Sequence, residues 1–187
     1  MEFLYTNKKI NSLAAAFKDG DQRAAEKLFN YFYPAIFRYI RSRLTDKEAT
    51  ADVAQDVFLK LAKSIVLYDA AKGNFSTWFW QIARNTFTDH LRSLQRDHSQ
   101  SETQLDIALD SMEASLDNTE SVRERMTEVK EIIQEFSEED QELFRLRYIA
   151  ELSFEEIAEL TDRTENALRV SLHRIREKIK KEYDKKD

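Results

Sequence analysis

The sequence predicts an all-α protein: two small helical domains joined by a flexible acidic linker, the C-terminal one carrying a helix-turn-helix. Three observations lead there. One Pro and two Gly in 187 residues, with 34% charged and 42% hydrophobic residues, leave little room for a hairpin-rich sheet. Apolar residues recur at helical spacing in both halves of the chain. Between those halves lies a polar, acidic stretch with only isolated hydrophobes.

The first domain is expected over residues 1–97. Leu13, Ala14 and Phe17 mark a short helix from Asn11 to Lys18, stopped at Gly20. Asp21 is placed to cap a long helix from Gln22 to Leu44, with Leu28, Phe29, Phe32, Ile36, Phe37, Ile40 and Leu44 as its apolar set. Pro34 inside it removes a backbone donor, which predicts a kink or a break. Thr45 and Glu48 form a capping box opening a helix from about Asp46 to Leu67. Val53, Val57, Leu61 and Ile65 line its inner face; Asp52, Gln55, Asp56, Leu59 and Lys63 fall outside that stripe.

After a loop at Tyr68–Asn74, a helix from Ser76 or Thr77 to about Arg96 holds the most aromatic stretch of the chain. Phe79 and Ile82 have core spacing. Tyr68, Phe75, Trp80 and Asn85 border a loop with cations close by and are expected at an edge, where aromatics stack unpaired bases and cations hold phosphate.

Residues 98–121 form the predicted linker. The second domain, 122–187, begins with a helix carrying Met126, Val129, Ile132, Ile133 and Phe136. Ser137 and Asp140 cap another, with Leu143, Phe144, Leu146 and Tyr148. Ser153 and Glu156 form a capping box for a short helix with Phe154, Ile157, Ala158 and Leu160 on its apolar face. A polar turn at Thr161–Arg163 follows, and Thr164 caps a longer helix. There Leu168, Leu172, Ile175 and Ile179 recur at helical spacing and bury one face. Arg169, His173, Arg176 and Lys180 repeat that spacing about 100° round the cylinder. A short helix, a turn and a longer helix with a basic outer face place a recognition helix in the DNA major groove. Small Ala158, which lets the two helices cross closely, favours this reading over a merely solvated charged helix.

Charge distribution sets the partners. The net charge is −6, but residues 1–97 hold 15 Lys+Arg against 11 Asp+Glu, and 163–181 hold 7 against 2. Between them, 98–125 hold 2 against 7 and 126–162 hold 3 against 12. Absence of Cys excludes disulfides, thiolate zinc sites and thiol switches, and three scattered His make no metal site. Neither a catalytic constellation nor a Gly-rich phosphate loop is present, so no enzyme activity and no cofactor are expected. Without a long apolar run or a signal-peptide pattern, a cytoplasmic protein with no direct membrane insertion is expected.

Three segments in order carry a family resemblance: Ala51–Phe58; Asn74–Phe79 with Ile82–Asn85 and Asp89–Arg92; and Leu152–Ile179. Together they resemble bacterial RNA polymerase sigma factors of the sigma-70 family, in the small two-domain extracytoplasmic-function (ECF) type. The resemblance implies a non-enzymatic protein that directs promoter-specific initiation. Asp52, Gln55, Asp56 and Leu59 would bind core polymerase, at the clamp helices of its largest subunit; the flap of the second-largest subunit is a further partner. Tyr68, Lys72, Phe75, Trp78, Arg84, Asn85 and Arg92 would meet the melted minus-ten DNA, with Tyr68 and Asn85 forming a pocket for a flipped base. Asn166, Arg169, Val170, His173, Arg174 and Arg176 would face minus-thirty-five duplex. An anti-sigma factor is expected as a partner. Asp162 stands where the family usually has Gly, at a position whose left-handed geometry Asp tolerates. The alternative function is a helix-turn-helix regulator acting on DNA without polymerase.

Overall fold

The structure is a computed structural model and describes residues 6–44, 46–97, 129 and 132–184. All of the regular structure among these is helical. The chain divides into two units, one of Met1–Phe37 with Glu48–Ser101 and one of Arg38–Lys47 with Glu102–Asp187. The predicted linker and the start of the second domain lie outside the described residues, as does Thr45 of the predicted capping box.

In the first unit, α1 (Asn7–Lys18) starts a turn earlier than expected because Thr6 caps it, its hydroxyl accepting from the Lys9 N–H. The helix ends where Gly20 turns with φ 96°, a conformation that costs glycine little. Asp21 then caps α2 (Gln22–Arg41), its carboxylate accepting from the N–H groups of Arg23 and Ala24 at 2.9 and 3.2 Å. Pro34 does not break α2, which runs 20 residues through it. Helix α3 (Lys47–Ser64) gives way to a 3-10 turn, Ile65–Leu67, and α4 spans Phe75–Asp97.

The core of this unit joins Ile10, Leu13 and Ala14 of α1 to Leu28, Phe32 and Ile36 of α2. Val53, Ala54, Val57 and Leu61 of α3 and Phe75, Phe79, Ala83 and Phe87 of α4 complete it. The α4 residues recur every fourth position, one stripe of a helix. Phe79 sits at the centre, its ring 5.0, 5.3 and 5.9 Å from those of Phe32, Phe58 and Phe75.

In the second unit, α5 (Glu138–Phe144) opens with the Ser137 cap and passes into a π-helical segment, Arg145–Ile149. The Ala150 N–H donates to the Arg145 carbonyl, and the wider turn brings Arg145, Leu146 and Ile149 all inward. Helix α6 (Phe154–Thr161) has the expected capping box: Ser153 Oγ accepts from the Glu156 N–H, and the Glu156 carboxylate accepts from the Ser153 N–H. Asp162 takes the left-handed conformation with φ 54°, which turns the chain into α7 (Glu165–Tyr183), capped by Thr164. Leu168, Leu172 and Ile175 of α7 pack with Ile157 and Leu160 of α6 and Leu143 of α5 in the buried set.

Candidate functional site

Three surfaces carry the residues singled out by sequence. On α3, Asp52, Gln55, Asp56 and Leu59 are all exposed, opposite buried Val53, Val57 and Leu61. Their spacing of 3, 4 and 7 from Asp52 puts them on one face. Leu59 is 49% exposed and Phe29 of α2 is 41% exposed, with the Phe29 ring tilted against that of half-buried Phe58 at 4.6 Å. An acidic helix face with apolar side chains left in solvent has the chemistry of a protein-docking surface.

The second surface is the loop 68–74 with α4. Tyr68, Phe75 and Trp78 come together, their ring centres 5.3, 5.4 and 5.8 Å apart. Phe75, however, is 0% exposed and Trp80 1%, which corrects the expectation that both lie at an open edge. The reason is helical register: Phe75 starts the stripe that Phe79, Ala83 and Phe87 continue into the core, and Trp80 lies beside that stripe, four residues after buried Ser76 and three before Ala83. Tyr68 is also buried, at 3%. Its hydroxyl lies 3.3 Å from both Asn11 Oδ1 and the Gly73 carbonyl. Burial, then the neighbouring Asp69 charge, hold its phenol above the ordinary 10.0 against a smaller lowering from the Phe75 backbone, so it stays a neutral hydrogen-bonding group at neutral pH.

Trp78 is half-buried, and Asn85 and Arg92 follow it at seven-residue intervals, on the same face of α4. Each interval is about 10 Å along the axis. Arg84 points about 100° away from Asn85 and is half-buried, so it does not share that row. Gln81 donates to Asn85 Oδ1 at 3.2 Å, Arg92 pairs with Asp89 at 3.6 Å, and Lys72 is exposed on the loop.

The sequence reading missed Asn11. Its Oδ1 accepts from the Phe75 N–H at 2.9 Å and its Nδ2 donates to Asn74 Oδ1 at 3.1 Å. One α1 side chain thus caps the first N–H of α4 and spans the loop that precedes it. Only the polar type of Asn11, beside a short apolar stripe, could have signalled this.

The third surface is α7. Asn166, Arg169, Val170, His173, Arg176 and Lys180 are exposed along one side, opposite Leu168, Leu172 and Ile175. Arg169 lies over the Phe154 ring at 4.4 Å and pairs with Glu165 at 2.8 Å. Arg176 donates from Nε to the Tyr148 hydroxyl at 2.6 Å. Arg174, also exposed, is directed elsewhere: its Nη2 donates to buried Ser171 Oγ at 3.1 Å and lies 3.8 Å from Asp140. Arg163 donates to the same Ser171 oxygen at 2.7 Å and pairs with Asp140 at 3.8 Å. These contacts tie α5, the turn and α7 together, and they give Arg174 a role in holding the helix-turn-helix.

Among the described residues no group of His, Cys, Asp or Glu could hold a metal, and no helix is long and apolar enough to cross a membrane.

The family model for sigma-70 region 2 matches residues 28–97, and that for sigma-70, region 4 matches residues 126–179. The chain belongs to the sigma-70 family. Among curated proteins, this sigma factor is 28% identical over 163 residues to the RNA polymerase sigma factor YlaC of Bacillus subtilis, covering 86% of this chain and 92% of the relative. It is 24% identical to the ECF RNA polymerase sigma factor SigM of the same organism, covering 86% and 95%. A solved structure of CnrH in complex with the cytosolic domain of CnrY has the same fold, with TM-score 0.65 and 20% identity over 95% of this chain and 98% of that one. The protein is an ECF sigma factor that directs RNA polymerase to promoters, and it is not an enzyme. Family membership sets aside a regulator that works without polymerase.

Proposed function

We propose that the three surfaces divide promoter recognition between them. The α3 face, with Asp52, Gln55, Asp56 and Leu59, docks on the clamp helices of the largest polymerase subunit, and the second unit engages the flap of the second-largest. The loop 68–74 and the α4 row, with Lys72, Trp78, Asn85 and Arg92, receive melted minus-ten bases; Tyr68 and Phe75 serve from beneath as the floor. Stacking and hydrogen bonds there offset part of the unpairing cost, roughly a few kcal/mol. The outer face of α7 reads minus-thirty-five duplex through base edges and phosphates.

The observation that carries this reading is the row Arg169, His173, Arg176 and Lys180, exposed on one side of a helix whose other side is buried. Arg169→Ala is expected to weaken minus-thirty-five recognition by roughly 1–3 kcal/mol with core binding intact. Holoenzyme affinity for promoters with and without that element, compared with wild type, checks this; an unchanged preference would remove Arg169 from the reading face.

On the polymerase side, Asp56→Arg is expected to weaken core binding by roughly 2 kcal/mol, through charge reversal at an exposed contact. Native gel titration with core enzyme measures it, and thermal melting of the free variant should match wild type.

The structural relative CnrH is held in complex with the cytosolic domain of another protein, which supports an anti-sigma partner here as well. The protein acts in the cytoplasm, where polymerase and promoter DNA meet.

A further inference from the structure

Helix α1 lies outside the segments matched by the two family models, the first of which begins at residue 28 and the second at 126. Its apolar side, Ile10, Leu13 and Ala14, is buried in the first unit against the 3-10 turn and α4, which flank the loop. Its polar contacts are more specific than packing requires. Asn11 Oδ1 accepts from the Phe75 N–H at 2.9 Å, the bond that a capping side chain makes at a helix start. Because that donor is a backbone N–H, the orientation of the Asn11 amide is fixed, and its Nδ2 faces Asn74 Oδ1 at 3.1 Å. The Tyr68 hydroxyl, 3.3 Å away, shares its proton between Asn11 Oδ1 and the Gly73 carbonyl. About two turns further along α1, Lys18 donates from Nζ to the Tyr68 carbonyl at 2.6 Å.

These two side chains therefore grip both ends of the segment 68–75. Lys18 holds its first residue by the carbonyl, and Asn11 holds its last two, Asn74 and Phe75, together with the Tyr68 hydroxyl. Within the segment Asp69 makes a local turn, its carboxylate accepting from the Ala71 N–H and its carbonyl from the Lys72 N–H, both at 3.0 Å, while the Tyr68 and Phe75 rings are buried. Lys72 stands exposed between the two grips.

We infer that α1 belongs to the strand-capture apparatus, with Asn11 and Lys18 as positioning residues that hold the 68–75 loop in the shape that receives a flipped base. This rests on the minus-ten reading above and adds to it the side chains that pre-form the site. A preformed pocket spares the ordering entropy that a loose loop would lose on binding. The amide of Asn11 touches no base; it acts through Tyr68 and the start of α4.

The test uses full-length protein in holoenzyme with core RNA polymerase and one promoter chosen from a random-sequence library by the wild-type holoenzyme. The probes are the single-stranded minus-ten oligonucleotide of that promoter and its minus-thirty-five duplex. Asn11→Ala is expected to lower affinity for the single strand about tenfold, the worth of one to two hydrogen bonds that order the loop, with core and duplex affinities unchanged. Asn11→Asp keeps the acceptor for Phe75 and Tyr68 and should recover most of that loss, and Lys18→Met should lose single-strand affinity in the same selective way. A loss that falls equally on core, duplex and single strand, or no recovery with Asp, would make Asn11 a general fold contact and overturn the inference. If wild-type holoenzyme itself gains nothing from the minus-ten strand, the base-capture reading fails first, and the inference falls with it for a different reason.

Discussion

Phe75→Ala is expected to destabilise the first unit by about 3–5 kcal/mol, the range for emptying a fully buried aromatic site. Its ring is enclosed by Phe32 at 5.9 Å, Tyr68 at 5.3 Å, Trp78 at 5.8 Å and Phe79 at 5.9 Å, and none of it reaches solvent. The cavity would open beneath the loop, so the Tyr68 ring would lose its support as well. Trp78→Ala provides the contrast. That indole is half-buried and packs against Tyr68 at 5.4 Å and Phe75 at 5.8 Å from the solvent side, so its removal should cost about 1–2 kcal/mol of stability. Chemical denaturation of the two variants should separate them clearly. Single-strand binding by holoenzyme should fall for both: for Phe75 because the floor has moved, and for Trp78 because a stacking surface has gone. A Phe75→Ala variant that melts like wild type would mean that the ring packs loosely, and the edge assignment would stand again.

The contrast between these two residues also shows what the amino-acid order encodes. Helix starts were legible at Asp21, Ser137, Ser153 and Thr164, because each cap needs only a short polar side chain three or fewer residues before a backbone donor. The amphipathic character of α7 was legible because its buried and basic stripes share one period. Nearness in sequence to Arg and Lys does not place Phe75 and Trp80 at an edge: Phe75 is on the stripe with Phe79, Ala83 and Phe87, and Trp80 lies beside it, four residues after buried Ser76 and three before Ala83. Of the kink or break expected at Pro34, the break does not occur: α2 continues through it, since a missing N–H need not interrupt the hydrogen bonds on either side. Two features depend on contacts between distant residues and have no local signature. One is the grip of Asn11 on residues 63 and 64 positions away; the other is the π-helical segment that turns Arg145 into the protein.

Arg145 leads to the second large effect: Glu142→Ala is expected to destabilise the second unit by about 3–5 kcal/mol, the cost of leaving a buried charge without its partner. The Arg145 side chain is only 4% exposed. Its Nη2 donates to Gln141 Oε1 at 2.9 Å, while Nε and Nη1 make no hydrogen bond. Burial, and next the Arg43 charge, push its guanidinium below the ordinary range, with Glu142 and then Glu138 acting in the opposite direction. Of these two carboxylates, Glu142 is the stronger partner. It is 15% exposed and lies 3.7 Å from Arg145 and 3.8 Å from Arg43, whereas Glu138 is 67% exposed and 4.0 Å from Arg145. Water screens the more exposed charge far more effectively. Without Glu142, two guanidinium groups would face each other with Glu138 as the remaining acid between them. The pair distances are long for charge-assisted hydrogen bonds, so the attraction offsets burial only in part. Glu142→Gln combined with Arg145→Met should therefore recover most of the loss, since an apolar side chain of similar length needs no partner there. Urea unfolding of wild type, the single variant and the double variant measures both effects. A cost below about 1 kcal/mol for Glu142→Ala would place the pair with solvent-screened surface bridges, and the inward turn of the π-helical segment would then owe its stability to Leu146 and Ile149 alone.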